Sequence, residues 1–326
     1  MKAIVDTDRV DDDIAWVGEQ LAEICPGESV VEVGAHPAGW SRLPASARLW
    51  RAGGVVAKLH SADASHEHLS ARLAVAADPR AAGILLAPLE PAARKAPSGR
   101  LLTLWPRVEP VDPTADPLPW DALGDTVARL HSLPVESHLP AADPRARARR
   151  AVAQVPDPTQ RALLEEVLAG VPEDPPASIV VHGDLHLGQL GQVGQRAHPG
   201  HLGTHATNGS QPGQWLLLDI DDLGRGHPAA DLARPAALWA VGLLADEDWT
   251  RLLAAHRRRS PGLLPPDEHL WEHLDAPART ALVILTAQAL RHEEDAEIIR
   301  RLLSACLLYT SPSPRDRTRS RMPSSA

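Results

Sequence analysis

Two stretches of this chain run an apolar strand directly into an acid, and together they restrict what it can fold into. Val181 to Leu190 reads V-H-G-D-L-H-L-G-Q-L and follows the apolar run Ser178-Ile179-Val180-Val181, while Trp215 to Asp222 reads W-L-L-L-D-I-D-D. The first stretch delivers Asp184, flanked by His182, Gly183 and His186; the second delivers Asp219. Two strand ends, each followed by a carboxylate, can converge on one cation or one hydroxyl group.

A chain of 326 residues exceeds one average domain, so two lobes with an ample buried core are expected. The net charge of −9, with no basic cluster interleaved with aromatics, argues against a nucleic-acid partner. Two cysteines, Cys25 and Cys306, make no disulfide framework and fit a reducing compartment. No apolar run has signal-core or membrane-spanning character, so the expectation is a cytoplasmic protein without a membrane partner. Of the 33 basic residues only Lys2, Lys58 and Lys95 are lysines, which makes the position of each worth a reason.

Along the chain, Ile14, Trp16, Val17, Leu21 and Ile24 space an amphipathic helix over 11–24. Strands are expected over 29–33 and 46–50, around a loop G-A-H-P-A-G-W-S. Gly34 and Gly39 have the spacing of a Walker phosphate loop, but Trp40-Ser41 stands where Lys-Ser/Thr is required, so this is not a P-loop. Gly53-Gly54 marks a turn before the strand Val55-Val56-Ala57-Lys58-Leu59. A lysine inside an apolar run is costly unless its ammonium meets an anion, so Lys58 reads either as a phosphate contact or as an edge lysine in water. A helix over 64–77 carries Glu67, which pairs with Lys58 or is solvated. Short strands are expected over 84–87 and 101–105, and the Pro- and Asp-rich stretch 106–119 separates two lobes.

Asp121 is expected to cap a helix bearing Leu123, Val127 and Leu130, and Thr159 another bearing Leu163, Leu164, Val167 and Leu168, which Gly170 ends. The arginine-rich stretch 140–150 reads as a solvated connection. His198, His201 and His205 lie in a long polar loop with no cysteine or adjacent acid to complete a metal site. Helices are expected over 228–244, 245–258 and 276–296. At Cys306 the composition breaks: the remaining segment holds the only Tyr, one of two Cys and one of two Met. Most of it can be encoded by a sequence resembling a transposon-type sequencing adapter, so 306–326 is read as a disordered tail of translated adapter, outside the fold.

Phosphoryl transfer needs a metal held against nucleotide phosphates, a lysine on those phosphates and a carboxylate to orient the attacking hydroxyl. H-G-D-L-H-L-G-Q, followed by L-L-L-D-I-D-D-L-G-R-G-H-P-A-A-D-L-A, resembles the aminoglycoside phosphotransferase family, whose kinase-like members include choline, homoserine and maltose kinases. The loop H-G-D-L-H-L-G-Q is similar to that of maltokinase-like members. The resemblance implies an α+β, protein-kinase-like two-lobed fold: a small mixed N-lobe with an antiparallel sheet over 1–105 and a larger, mainly helical C-lobe over 106–305. It also implies ATP or GTP as co-substrate, Mg2+, and a small polar acceptor such as a sugar, amino alcohol or aminoglycoside. Asp184 falls on the catalytic aspartate and Asp219 on the magnesium aspartate. Lys58, with Glu67, Leu104 and Trp105, falls on the nucleotide side, and His182, His186 and Asp231 support the catalytic loop. The sequence departs from the family pattern at Gln189, where a second magnesium ligand is usually Asn, and at His227, where G-D-P has Asp. Two other classes stay open: a pseudokinase-like nucleotide-binding module, and a metal-dependent hydrolase using His182, Asp184 and His186.

Overall fold

A computed structural model of the protein describes residues 7–33, 47–112, 114–173, 176, 178–192 and 213–310. The glycine-bearing loop 34–41 and the three loop histidines lie outside the described residues. The chain divides into two compact units, Met1–Pro140 with His186–Asp221, and Ala141–Leu185 with Asp222–Ala326.

In the first unit, apolar residues three and four apart give α1 (Thr7–Ile24) one face, from which Val17 and Leu21 are fully buried. It lies on an antiparallel sheet that includes β1 (Val31–Val33), β2 (Arg48–Ala52) and β3 (Val55–Leu59). Gly53 takes φ 51°, the positive value that a two-residue hairpin needs at its first turn position, and this sets Ala52 opposite Val55. Then come α2 (His66–Ala77), capped by the Ser65 side chain, β4 (Arg94–Lys95) and β5 (Leu101–Pro106). The strand order is β1-β2-β3-β5-β4. Strand alternation sends Val55, Ala57, Leu59, Leu102 and Leu104 into a core with Val17, Leu21 and Trp50.

The expected lobe boundary after residue 105 does not mark the division of the chain. The strand β6 (Glu109–Pro110), which follows it, pairs with later strands of the same unit, and α3 (Trp120–His131) packs there too. Hydrogen bonding carries the chain past the Pro-rich stretch, because β6 needs a partner and finds it 80 residues downstream. Asp121 sits in the first turn of α3 and does not cap it; the cap position is Pro119.

The second unit is helical. Asp143 caps α4 (Pro144–Val152) by accepting from the Ala146 N–H at 2.7 Å, so the arginine-rich stretch is a helix with Ala148 and Val152 buried, not a solvated connection. Asp157, two residues ahead of the expected Thr159, caps α5 (Pro158–Ala169). The strand β7 (Ile179–Val181) follows; then, in the first unit, β8 (Leu190–Gln192) and β9 (Trp215–Leu217) pair to complete a β6-β8-β9 sheet. The expected strand over 84–87 is reduced to a parallel bridge between Leu85 and Leu217. Returning to the second unit, β10 (Gly224–Gly226) pairs with β7, and α6 (Ala229–Ala240), α7 (Asp246–Arg259), α8 (Asp267–Arg291) and α9 (Ala296–Thr310) follow. The long α8 packs against α4, α5, α6 and α9.

Helix α9 runs through the composition break at Cys306. The Cys306 side chain is fully buried, and its Sγ lies 3.5 Å from the Thr286 hydroxyl on α8. The expected disordered tail therefore does not begin at Cys306: the segment Leu302 to Cys306 keeps helical spacing and places both of these apolar side chains inward. Among the described residues no helix is long and apolar enough to cross a membrane.

Burial pushes the Cys306 thiol up to about 11. In native protein at pH 8, a thiol reagent is therefore expected to label the partly exposed Cys25 well before Cys306, with both labelled rapidly in urea. Equal native rates would show that α9 does not pack as described.

Candidate active site

In the first unit the site begins with the register of β3 on β5. Lys58 lies opposite Thr103, so one face of the sheet carries Lys58, Thr103 and Trp105 while the other carries the core. Lys58 Nζ is 2.6 Å from Asp219 Oδ1 and 2.8 Å from Asp221 Oδ2, with only 6% of its side chain exposed. Burial alone would lower its pKa, but the charges of Asp219 and Asp221 outweigh it, and the ammonium is held above the usual lysine value. For Asp221, burial pushes upward; Lys58 and then His60 reverse this and hold the carboxylate well below its ordinary range.

His60, one step beyond β3, contacts Asp221 Oδ1 through Nδ1 at 3.2 Å and the Thr103 hydroxyl through Nε2 at 2.9 Å. The Trp105 indole N–H donates to the same hydroxyl at 2.8 Å. Asp219 itself takes φ 55°, a left-handed conformation that aspartate tolerates better than most residues, and its Oδ1 accepts the Asp221 N–H at 3.1 Å. This turn presents both carboxylates to Lys58.

Glu67 is not the partner of Lys58. It is exposed in the first turn of α2, two residues before buried Leu69, and two helical steps of about 100° put it nearly opposite the core face. Leu104 also departs from its expected place. Its side chain belongs to the core behind the sheet and its carbonyl accepts the Leu89 N–H at 2.8 Å, while Trp105 lies on the Lys58 face.

Gln189 closes a 3-10 turn over Leu187–Gln189, which His186 caps by accepting the Gly188 N–H on Nδ1 at 3.0 Å. The Gln189 carbonyl then accepts the Leu218 N–H at 2.8 Å, so Gln189, just before β8, and Asp219, just after β9, lie at the same end of neighbouring strands. The Gln189 side chain is buried. A carboxylate and an amide oxygen are hard donors that suit magnesium, which is commonly held by one or two carboxylates plus phosphates and water. The residues present thus fit that ion.

In the second unit, Asp231 at the start of α6 is fully buried and accepts two backbone N–H groups, of His182 on Oδ2 and Gly183 on Oδ1, each at 2.8 Å. Gly183 takes φ 82°, and a Cβ there would collide with the Asp222 carbonyl, so only glycine fits the turn that exposes Asp184. His182 is fully buried and its Nδ1 faces the Asp184 N–H at 3.4 Å. Asp184 is gripped by two arginines: Arg147 Nη2 at 2.5 Å from Oδ2 and Arg234 Nη1 at 3.3 Å from Oδ1. Downstream, His227 Nδ1 accepts the Ala229 N–H at 3.2 Å and its ring stacks on His273, so this histidine also serves the turn.

The structure therefore collects Lys58, Gln189, Asp219 and His186 in one unit, and Asp184, His182 and Asp231 in the other. Sequence reasoning missed His60, Thr103, Arg147 and Arg234. The first two were legible from β3–β5 alternation once the register was known; the arginines were hidden by a composition that puts arginine everywhere. Among the described residues no group of three His, Cys, Asp or Glu side chains is arranged to hold a metal.

No protein-family model matches the chain, and no curated protein does. Solved structures match over nearly the full length. An aminoglycoside 2′-phosphotransferase IIIa variant in its GDP complex is 14% identical, with a TM-score of 0.54 over 91% of this chain and 97% of that one. A spectinomycin phosphotransferase with ADP and spectinomycin is 11% identical, with a TM-score of 0.55 over 89% and 93%. A microcompartment-associated aminopropanol kinase is 16% identical, with a TM-score of 0.56 over 91% and 95%. The fold is thus the α+β, protein-kinase-like fold of small-molecule phosphotransferases.

Replacing Asp231 with Ala leaves two backbone N–H groups without their acceptor and is expected to cost at least about 2 kcal/mol in urea unfolding; an unchanged midpoint would remove Asp231 from this role. A second expectation concerns acid. The folded Asp221 pKa lies below its unfolded value of about 3.9, so its contribution is present above that pH and is lost as pH falls towards the folded value. Calorimetric melting should show the gap between wild type and Asp221→Asn narrowing from pH 6 to pH 3.

Proposed function

We propose that this protein is a phosphotransferase that moves the γ-phosphoryl group of ATP or GTP to a hydroxyl of a small polar molecule. The observation that carries this reading is Lys58, a buried, charged ammonium set on two acids in a fold whose solved relatives hold GDP or ADP. Such a lysine is positioned to exchange carboxylate for phosphate oxygen. Asp219 and Gln189 would hold Mg2+, which when bound neutralises phosphate charge. Trp105 and Thr103, on the Lys58 face, line the nucleotide side.

Asp184 has the remaining role. A carboxylate offers about four acceptor positions, so contacts to two guanidiniums leave room for one acceptor hydroxyl. The hydroxyl proton passes to Asp184 and its oxygen bonds to the γ-phosphorus. The bond from that phosphorus to the β–γ bridging oxygen breaks, and the nucleoside diphosphate leaves with the electron pair. His182, His186 and Asp231 hold the loop through its backbone. ATP or GTP as donor goes with a cytoplasmic location.

A nucleotide-consumption assay across sugars, amino alcohols, hydroxy acids and aminoglycosides tests the reading. Asp184→Asn is expected to lower kcat by ~10²–10⁴-fold while nucleotide binding stays; full activity in that variant would overturn the assignment. Gln189 in place of the usual Asn favours a second reading, a nucleotide-binding module, which tight nucleotide binding without turnover on any acceptor would select.

A further inference from the structure

The two acids that meet Lys58 are held in different ways, and the residues that hold them lie in the first unit. Asp219 receives Lys58 Nζ and the Asp221 N–H on the same oxygen, Oδ1. A carboxylate engaged in this way keeps acceptor capacity for a cation, and Asp219 is the acid that the proposed chemistry commits to magnesium. Asp221 instead spans two partners: its Oδ2 lies 2.8 Å from Lys58 Nζ and its Oδ1 3.2 Å from His60 Nδ1. With Asp219 turned to a metal, Asp221 is the anion that stays on the ammonium. The helix acid Glu67 is exposed and does not supply one.

His60 is built to hold Asp221 still. Its N–H donates to the Leu101 carbonyl and its own carbonyl accepts the Arg100 Nε–H, each at 2.8 Å, so its backbone is fixed on both sides. The ring is 3% exposed, and its Nε2 lies 2.9 Å from the Thr103 hydroxyl, which also accepts the Trp105 indole N–H. An ionised carboxylate only accepts, so on the neutral ring the hydrogen belongs on Nδ1, facing Asp221. The Thr103 hydroxyl then gives its proton to Nε2. On the charged ring Nε2 donates to Thr103 instead, and Nδ1 still faces Asp221 with a hydrogen.

We propose that Asp221, braced by His60, is the acid that positions Lys58 when nucleotide is bound, so that Asp219 is left for magnesium. Both are positioning residues: Asp221 acts through Lys58, and His60 through Asp221. This rests on the phosphotransferase reading only for the identity of the ligand.

Titration calorimetry with ADP and with GDP, each with Mg2+, tests the assignment. The amide nitrogen of Asn matches histidine Nδ1 and that of Gln matches Nε2, so His60→Asn keeps the contact to Asp221 while His60→Gln keeps only that to Thr103. Asp221→Asn and His60→Gln are each expected to weaken binding about tenfold, with the double variant no weaker than Asp221→Asn. His60→Asn should stay within about threefold of wild type, and Glu67→Gln should match it. Thermal melts of each variant establish that it is folded. The chain has three lysines, so lysine-labelled protein gives three side-chain NMR signals, of which Lys58→Met removes one. The two Cε hydrogens of Lys58 should stay inequivalent in nucleotide-bound wild type and become equivalent in nucleotide-bound Asp221→Asn. The assignment is overturned if Asp221→Asn binds as tightly as wild type and keeps that inequivalence. It is also overturned if the His60→Gln loss persists in full on the Asp221→Asn background, or if His60→Asn loses as much as His60→Gln. Any of these results with nucleotide still consumed leaves the phosphotransferase reading standing. The expected coupling with no transfer to any acceptor does the reverse, and wild type that binds neither nucleotide overturns both.

Discussion

The ion cluster of Lys58, Asp219 and Asp221 is the interaction on which the first unit's chemistry depends. Taking an ammonium out of water costs several kcal/mol, and one contact with a carboxylate returns about 4 kcal/mol at an effective dielectric of about 20. One partner would roughly break even; two keep Lys58 charged while buried. The cluster is thus better understood as positioning than as stabilisation. It holds a cation in a fixed place by one β-strand and one tight turn. His60 and Thr103 extend the arrangement, since His60 bridges Asp221 to the hydroxyl that also receives the Trp105 indole N–H.

The second unit solves a different problem: how to expose one carboxylate on a short loop without leaving that loop's backbone unsatisfied. Asp231 accepts the N–H groups of His182 and Gly183, and Gly183 supplies the positive φ that turns Asp184 outward. Arg147 and Arg234 then fix the Asp184 carboxylate from α4 and α6. Both arginines also line the pocket beside Asp184, so the residues that orient the carboxylate form part of its surroundings.

Local signals carried much of this architecture. Alternation and a glycine turn gave β3 its bounds, and the acid-terminated strands located the turns at Asp184 and Asp219, because strand pattern and turn chemistry are properties of neighbouring residues. Errors clustered where a distant partner decides the outcome. Residues 84–87 look like a strand but find only one bridge, at Leu217; the arginine-rich stretch looks solvated but becomes a capped helix whose Arg147 meets Asp184; Cys306 looks like the start of a tail but is buried against Thr286.

From its sequence alone this protein declares its kinase-like class, its scarce strand lysine and the two aspartates that follow apolar strands, since each is written in contiguous residues. Tertiary structure decided which anions hold Lys58, replacing Glu67 by Asp219 and Asp221. It turned Leu104 into the core while keeping Trp105 on the Lys58 face, and set two arginines on Asp184. Those outcomes depend on strand register and helix phase, where a shift of one residue reverses a side chain on a strand or turns it by about 100° on a helix. No stretch of sequence encodes that choice by itself, because the partner that settles it lies tens of residues away.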